Sequence, residues 1–322
     1  MSVSGVECPK LVFVVPCYNE QEGLEICMKK LLSYTKNLED NSKISTESFI
    51  LLVDDGSIDN TFEVIEKLHN ENNKFKGIKF TKNYGSQNAI LAGLEKAYEL
   101  GADCAISIDA DLQQELVTVE KFLEEYKKGN DIVFGVRTKY LKKMILKSYF
   151  SKLFYKVISL LGAKIVPNHS EFRLVSSKAL KILSNYKEHN IFLRGLFVDF
   201  GLKSTTVEYD IIDRAFGKTK FNYAKLTQLA LNGITSFSIV PLRLVAIMGV
   251  TISFISFAIG IYALCTRYIL KAYLPHWTPE IVAIAFLAGI QIFCIGVIGE
   301  YLGMIYNEVK ARPRYITDIE LI

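Results

Sequence analysis

The sequence predicts an α/β fold, with a mainly parallel sheet flanked by helices, followed by a pair of membrane-spanning helices. Three observations lead to this prediction. Strand-like and helix-like patterns alternate from residue 10 to residue 137, an order typical of a parallel, doubly wound sheet. Clusters of polar residues follow several of the strand-like runs. Two long apolar runs in the last quarter of the 322-residue chain contain no Asp, Glu, Lys or Arg.

The predicted strands are short apolar runs, the pattern of strands buried on both faces. We place them at residues 11–16, 49–53, 77–80, 104–108 and 131–134, with two further strands at 172–175 and 205–212. Helical patterns fill intervals between them at 20–36, 61–68, 87–100 and 115–128. Open α/β sheets bind ligands at the carboxyl ends of their strands. The polar clusters that follow the strands are therefore the candidate site.

The two apolar runs at 244–266 and 281–299 predict a transmembrane hairpin. At a rise of about 1.5 Å per residue, runs of about 19 to 23 residues reach about 28 to 35 Å, which matches a bilayer core. Basic residues flank the pair on its outer sides: Arg214, Lys218, Lys220, Lys225 and Arg243 before it, and Lys310, Arg312 and Arg314 after it. The positive-inside rule then places the α/β domain and both termini in the cytoplasm. We expect the last three cations to contact anionic headgroups.

These patterns divide the chain into an α/β domain at 1–221, a juxtamembrane helix at 222–241, the two spans within 242–305 and a cytoplasmic tail at 306–322. Residues 148–161 predict a basic amphipathic helix, which either packs on the core of the domain or lies on the membrane. The net charge of +4 excludes a nucleic-acid-binding polycation. The six cysteines form no C-x-x-C pair, so we expect reduced thiols.

An acidic pair, Asp109 and Asp111, follows the fourth predicted strand. Two carboxylates at this spacing suit Mg²⁺ or Mn²⁺, because hard cations prefer carboxylate oxygen and share their coordination shell with substrate phosphates. Gln113 stands two residues later and offers a carbonyl ligand. A lone D-x-D is more often a solvated turn, so its position after a buried strand is what favours a metal–diphosphate site.

Two further clusters follow strands one and two. Val53 to Thr61 reads V-D-D-G-S-I-D-N-T, and part of it is expected to cap a helix. Cap chemistry does not require two adjacent acids followed by Gly-Ser, so a nucleoside site is favoured, in which an acid accepts hydrogen bonds from a base or ribose. Residues 15–20, V-P-C-Y-N-E, alone indicate only a strand, a turn and a helix start.

Together these clusters resemble the family 2 glycosyltransferases of the GT-A fold, and among them the polyprenyl-phosphate glycosyltransferases. The matching motifs lie at 14–20, 53–57, 82–85, 109–113, 135–137, 171–174, 194–196, 217–220, 241–244 and 298–303. The motifs next to and within the spans are similar to those of bactoprenol glucosyltransferases of O-antigen modification. Dolichol-phosphate mannose synthases are more distant relatives. The resemblance covers nearly the whole chain and implies a Rossmann-like sheet, juxtamembrane amphipathic helices and a two-helix hairpin.

The resemblance also implies residue roles. Nucleotide contacts fall on Pro16, Tyr18, Glu20, Asp54, Lys82 and Asp109. Metal ligands are Asp109, Asp111 and Gln113. The acceptor phosphate would contact Arg137, Lys147, Ser151, Arg214 and Lys220, and the catalytic residues would be Asp111, Glu171 and Arg137. This chain has Gln114-Glu115 where the family often has Asp-Pro. It has Glu171 where the family commonly has Asp, a change expected to affect the sugar preference.

The implied reaction transfers a hexose, with glucose from UDP-glucose as first choice, to undecaprenyl phosphate. It would be metal-dependent and inverting, and it would take place at the cytoplasmic face of the bacterial inner membrane. Alternatives are another donor, such as GDP-mannose, an amino sugar or an aminoarabinose derivative, or a non-catalytic membrane scaffold. A processive polysaccharide synthase is less favoured, because its usual Q-x-x-R-W motif has no match here. The resemblance further implies a homo-oligomer, with a tetramer as the suggested state, and no nucleic-acid partner.

Overall fold

The computed structural model describes residues 7–138, 169–188, 192–210, 240–268 and 277–322. Within these ranges the strands are β1 (Leu11–Cys17), β2 (Phe49–Asp54), β3 (Phe75–Phe80), β4 (Cys104–Ser107), β5 (Ile132–Arg137), β6 (His169–Ser176), β7 (Ser204–Tyr209) and β8 (Thr317–Leu321). The helices are α1 (Leu24–Asp40), α2 (Thr61–Glu71), α3 (Ser86–Glu99), α4 (Thr118–Lys127), α5 (Ser177–Leu183), α6 (Leu193–Asp199), α7 (Val240–Tyr268) and α8 (Trp277–Lys310). The predicted amphipathic helix at 148–161 and residues 222–239 of the predicted juxtamembrane helix lie outside these ranges.

The described strands form one sheet in the order β7-β5-β6-β4-β1-β2-β3-β8. Six strands run in the same direction, and β6 and β8 run against them. The predicted mainly parallel sheet is therefore confirmed. Strand β6 inserts between β4 and β5 and pairs with both. This insertion brings the N-terminal end of β6 to the edge of the sheet at which β4 ends.

Alternate residues along each central strand enter two separate cores, as the pleat of a strand requires. In β1, Phe13 points to the face covered by α1, α2 and α4, and Val14 points to the face covered by α3, α5 and α6. Helix α3 lies very close to the sheet at Gly93, where an added Cβ would stand 2.2 Å from a methyl carbon of Val14. Helices on both faces make the sheet doubly wound, as predicted.

Strand β8 is an element that the sequence analysis did not predict, since it lies in the segment assigned to a tail. It pairs antiparallel with β3, with Gly77 opposite Leu321. The prediction for Arg314 was also wrong. Its guanidinium donates to Glu95 (2.6 Å) and to the carbonyl oxygen of Tyr186 (2.9 Å), so this cation is paired with the α/β domain and not with headgroups.

Helices α7 and α8 are longer than the predicted spans and present apolar side chains outward. Phe254 is 72% exposed and Ile292 is 70% exposed. By length and composition, the stretch Phe286–Lys310 of α8 is able to cross a membrane, and it is the one such stretch in the described ranges. A shorter apolar stretch, Leu242–Ile252, lies in α7. The first of the two predicted spans, 244–266, therefore stays a prediction.

Candidate active site

The polar clusters of the sequence meet at the carboxyl edge of the sheet. Strand β1 lies between β2 and β4, and Cys17 stands beside Asp54 in the β1–β2 register. The antiparallel β6 brings Arg173 opposite Ser107 at the end of β4. The loops that follow β1, β2 and β4, together with the start of β6, therefore share this edge, where open α/β sheets bind ligands.

The loop after β1 is fastened to the loop after β2 by hydrogen bonds. The N–H of Asn19 donates to Ser57 Oγ (2.9 Å), and the N–H of Ile58 donates back to Asn19 Oδ1 (3.0 Å). The N–H of Glu20 donates to Thr61 Oγ1 (2.8 Å). Asn19 has a positive φ of 52°, a conformation that Asn tolerates better than most residues. Pro16, Tyr18 and Glu20, three of the predicted nucleotide contacts, are half-buried at the end of β1 and in the loop that follows it.

The adjacent acids Asp54 and Asp55 differ in what their carboxylates contact. One oxygen of Asp55 accepts from the N–H of Tyr84 (2.7 Å), and both accept from the N–H of Gly85 (3.1 and 3.0 Å). Asp54 Oδ1 accepts from the N–H and the hydroxyl of Ser57, whereas its buried Oδ2 has no partner among the described residues. Burial raises the pKa of both, that of Asp55 to about 6. The carboxylate of Asp55 therefore holds the loop that contains Tyr84 and Gly85, whereas one oxygen of Asp54 accepts no hydrogen bond from the described residues.

That loop, residues 81–85, connects β3 to α3 and carries Lys82. Gly56 packs against its backbone: with a φ of 65°, an added Cβ would lie 2.2 Å from the carbonyl carbon of Lys82. The ammonium of Lys82 is exposed and lies 5.2 Å from the centre of the Tyr84 ring. The predicted nucleotide contact Lys82 is therefore placed at the edge by a loop that both Asp55 and Gly56 constrain.

The acidic pair lies on a tight turn directly after β4. Leu112 has a positive φ of 45°, and its N–H donates to the carbonyl oxygen of Asp109 (3.1 Å). Burial raises the pKa of the Asp109 carboxyl, and the charge of Asp111 raises it further. Asp109 Oδ2 accepts from Gln114 Nε2 (2.5 Å), and Asp111 Oδ1 accepts from the N–H of Gln113 (3.3 Å). A carboxylate whose ionisation is disfavoured by burial and by a neighbouring carboxylate is a suitable setting for a divalent cation.

The described residues contain no group of three His, Cys, Asp or Glu side chains that would hold a metal alone. The donor set at the edge is the carboxylate pair with Gln113 next to it. Oxygen ligands of this kind fit Mg²⁺ or Mn²⁺ bound together with substrate phosphates, and they do not fit a closed protein cage.

Glu171, the predicted catalytic acid, lies at the start of β6 in an ion-pair network. Its carboxylate contacts the guanidinium of the fully buried Arg173, Arg194 Nε (2.7 Å) and Gln87 Nε2 (2.9 Å). Burial disfavours its ionisation, but Arg173 and Arg194 outweigh burial and hold its pKa well below the usual range. Gln87 Oε1 also accepts from the N–H of Leu193 (3.2 Å). Glu171 therefore ties together β6, α3 and α6.

Arg137 lies exposed at the end of β5, and its charge offsets part of the rise in the pKa of Asp109. Its Nε donates to the Tyr209 hydroxyl (3.1 Å), which donates to Ser170 Oγ (2.7 Å). The other predicted acceptor contacts, Lys147, Ser151, Arg214 and Lys220, lie outside the described residues.

Sequence reasoning missed several residues that shape this edge. Gln114 was noted only as a departure from the family pattern, yet it donates to Asp109. Arg173 and Arg194 stood within matching motifs but were given no role. Gln87 carries one signal in the sequence, as a polar residue just before the buried apolar run at 89–94 of α3. Its partner Glu171 is 84 positions away, and no local pattern indicates that pairing.

The fold is a doubly wound α/β sheet with acidic loops at its carboxyl edge, the edge at which enzymes of this architecture bind their ligands. The chain belongs to glycosyl transferase family 2, whose model matches residues 12–190, and a GtrB C-terminal hairpin matches residues 240–305. It is a glycosyltransferase, as the motifs predicted. The hairpin match and the apolar stretch of α8 together indicate association with a membrane.

Several relatives match along almost their whole length. The glycosyltransferase YkoT of Bacillus subtilis is 41% identical over 313 residues, which cover 97% of this chain and 92% of that protein. The bactoprenol glucosyl transferase of Shigella phage SfX is 34% identical over 308 residues, with 95% and 98% covered. A prophage bactoprenol glucosyl transferase homolog of Escherichia coli gives the same identity and coverage. The predicted resemblance to this group is confirmed.

Proposed function

We propose that this glycosyltransferase transfers a hexose from a nucleotide sugar to undecaprenyl phosphate at the cytoplasmic face of the bacterial inner membrane, with glucose from UDP-glucose as the favoured donor. The observation that carries the proposal is the Asp109–Asp111 pair, fixed at the carboxyl edge of the sheet in a chain that also contains long, outward-facing apolar helices. Relatives named bactoprenol glucosyl transferases support the lipid acceptor and the glucose.

The donor would bind over the two fastened loops. Pro16, Tyr18 and Glu20 line one side, and Lys82 offers a cation for the phosphates. Asp54 retains a buried oxygen without a partner among the described residues, which supports its role as an acceptor of hydrogen bonds from the base or ribose. An unsatisfied buried acceptor costs free energy, so a ligand that donates to it gains affinity.

Asp109, Asp111 and Gln113 would hold Mg²⁺ or Mn²⁺ against the diphosphate. When bound, the cation supplies charge neutralisation for the departing nucleotide. Gln114 holds the carboxylate of Asp109 by its amide, which fixes one ligand of the pair. Glu171 acts in this proposal as a positioning residue that orients Arg194 and Gln87, because its carboxylate is already used by three side chains.

The acceptor phosphate needs no general base. Its second pKa is about 6, so at neutral pH an oxyanion attacks the anomeric carbon. A carbon–oxygen bond to the acceptor phosphate forms as the carbon–oxygen bond to the nucleoside diphosphate breaks, and the leaving group keeps the electron pair. Attack from the back inverts the anomeric configuration. Arg137, exposed at the end of β5, would neutralise the acceptor together with Lys147, Arg214 and Lys220, and Ser151 would donate a hydrogen bond to it.

The hairpin would hold the site at the lipid surface. Two spans, 244–266 and 281–299, return the chain to the side on which it entered, and the basic flanks favour the cytoplasm. Multi-pass insertion, cytoplasmic termini and a homo-oligomer, with a tetramer suggested by the resemblance, complete the proposal. The lipid-linked sugar would serve O-antigen modification or another cell-envelope polysaccharide.

A donor panel tests the proposal. The purified full-length protein is incubated with undecaprenyl phosphate, Mg²⁺ or Mn²⁺, and UDP-glucose, GDP-mannose, an amino-sugar nucleotide or an aminoarabinose nucleotide. We expect a chloroform-soluble sugar lipid with UDP-glucose. Product formed with a different donor would show that the sugar was assigned wrongly, but it would still support the transfer reaction. No product with any donor would contradict the reaction and favour a non-catalytic scaffold.

A further inference from the structure

A C-terminal segment beyond the membrane helix lies against the candidate nucleotide loop. This segment, residues 314–321, is called the C-terminal strap here. It begins four residues after the end of α8 and ends as strand β8 on the edge of the catalytic sheet. Residues 81–85, which carry Lys82, are called the Lys82 loop.

The start of the strap is anchored through Glu95 of α3. Arg314 donates to one oxygen of this carboxylate (2.6 Å), and the hydroxyl of Tyr315 donates to the other (2.7 Å). The side chains of Arg314 and Glu95 are only 15% and 14% exposed, so solvent screens this pair less than a surface pair. The strap is therefore held to the catalytic domain before its strand begins.

The strap then contacts the Lys82 loop directly. The ring of Tyr315 stacks on Phe80, the last residue of β3, with ring centres 5.0 Å apart. The carbonyl oxygen of Ile316 accepts from the N–H of Thr81 (3.1 Å). Phe80 packs edge-on against Tyr84 at 5.7 Å, and the hydroxyls of Thr81 and Tyr84 are 3.3 Å apart. Each of these contacts is made by a residue of the loop or by Phe80, which immediately precedes it.

The Lys82 loop thus has two supports. On the side of β2, Asp55 accepts from the N–H groups of Tyr84 and Gly85, and Gly56 packs against the backbone of Lys82. On the side of β3, the strap holds Phe80 and Thr81. Without either support, the loop would become ordered only when the ligand binds. The entropy lost in that ordering lowers the affinity for the ligand.

We propose that the C-terminal strap is part of the donor site: it positions the Lys82 loop for the nucleotide, with Tyr315 as the main positioning residue. The proposal rests on the donor-binding role given to Lys82 above. Its consequence is that the catalytic domain is discontinuous in sequence. The chain leaves the domain, passes through the hairpin, and returns to complete the nucleotide site, so the membrane helix α8 is linked by three residues to that site.

The test uses full-length protein and the affinity for UDP, measured by calorimetry below the unfolding temperature. Tyr315→Ala removes both the ring stacking and the contact with Glu95, and we expect the Kd for UDP to rise by roughly tenfold. Tyr315→Phe keeps the ring and should bind UDP nearly as well as the wild type. Glu320→Gln is the matched control, because it removes the ion pair to Lys96 (2.7 Å) at the far end of the strap and leaves the Lys82 loop untouched.

Hydrogen exchange supplies a direct readout of the loop. In Tyr315→Ala, the amides of Thr81 and Tyr84 should exchange faster, and those of the central strand β1 should not. If Tyr315→Ala lowers the unfolding temperature but leaves the Kd for UDP within twofold of the wild type, the strap is only structural and the inference is overturned, while the transfer reaction stands. If the wild type itself binds no nucleoside diphosphate, the donor site is assigned wrongly. That result would contradict both the proposed function and the inference.

Discussion

The catalytic sheet and the C-terminal hairpin use the same apolar residue types in opposite ways. In the sheet domain, Ile106 and Phe122 are fully buried between strands and helices. In the hairpin, Ile292 and Phe254 face outward over most of their surface. The sheet domain also provides partners for its buried charges, as Glu171 has Arg173 and Arg194. The difference indicates that the domain is stable by its own packing, whereas the hairpin requires an apolar surrounding.

The largest expected effect is on chemistry at the edge of the sheet. Asp111→Asn keeps the size of the side chain but removes one charge of the acidic pair. Since stabilisation by a bound cation supplies several kcal/mol, we expect sugar transfer to fall by at least about a hundredfold. The measurement is the rate of lipid-linked sugar formation by protein reconstituted in bilayers.

Glu99→Gln provides the control for Asp111→Asn. Glu99 is an exposed acid that pairs with Lys96 on α3, away from the site, and its replacement should leave the rate within twofold. Equal activity of the Asp111→Asn protein and the wild type would contradict the catalytic role of the pair.

The same substitution in the two regions sharpens the comparison of stability. Ile106→Ala opens a cavity in the core under β4 and should cost about 2 to 5 kcal/mol of unfolding free energy. Ile292→Ala removes an outward-facing side chain, opens no cavity, and should cost less than about 1 kcal/mol. Denaturant unfolding of both proteins in detergent measures the difference. Equal losses would show that Ile292 is packed within the protein and would break the comparison.

A comparison of Gly56, which follows β2, with Gly101, which precedes β4, separates the effect of backbone strain from that of a steric clash. Both Gly56 and Gly101 have positive φ, but an added Cβ meets the Lys82 backbone at Gly56 and meets nothing within 4 Å at Gly101. Gly101→Ala should cost about 1 kcal/mol. Gly56→Ala should cost more than that and should also weaken UDP binding, because the Lys82 loop must move. Similar UDP affinities of the two variants would contradict the proposed role of the loop.

The last expected effect is the pH dependence of stability that arises from Asp55. Burial raises its folded-state pKa to about 6, against about 3.9 in an unfolded chain. The folded protein therefore holds the proton more tightly, and this contribution is present below about pH 4 and lost as the pH rises through 6. It is worth at most about 3 kcal/mol. Asp55→Asn should flatten the stability curve between pH 4 and 6; parallel curves for variant and wild type would contradict this assignment.

Local patterns predicted most of the fold, because a buried strand and the acidic residues that follow it are consecutive in the sequence. The strands around Val14 and Ile106 and the pair Asp109–Asp111 were found in this way. The insertion of β6 between β4 and β5 was not, because apolar runs do not specify their neighbours. Strand β8 was missed because it is five residues long and follows a membrane helix. Arg314 was wrongly assigned to headgroups, since its partner Glu95 is 219 positions away.

Binding of Mn²⁺ with and without UDP tests the central claim most directly. The acidic pair supplies too few ligands to hold a cation alone, so calorimetry on full-length protein should detect Mn²⁺ binding when UDP is present and little without it. Asp111→Asn should abolish the UDP-dependent binding. Mn²⁺ binding of equal strength in the absence of UDP, or UDP-dependent binding that survives Asp111→Asn, would contradict a cation held between these two carboxylates and a departing nucleotide.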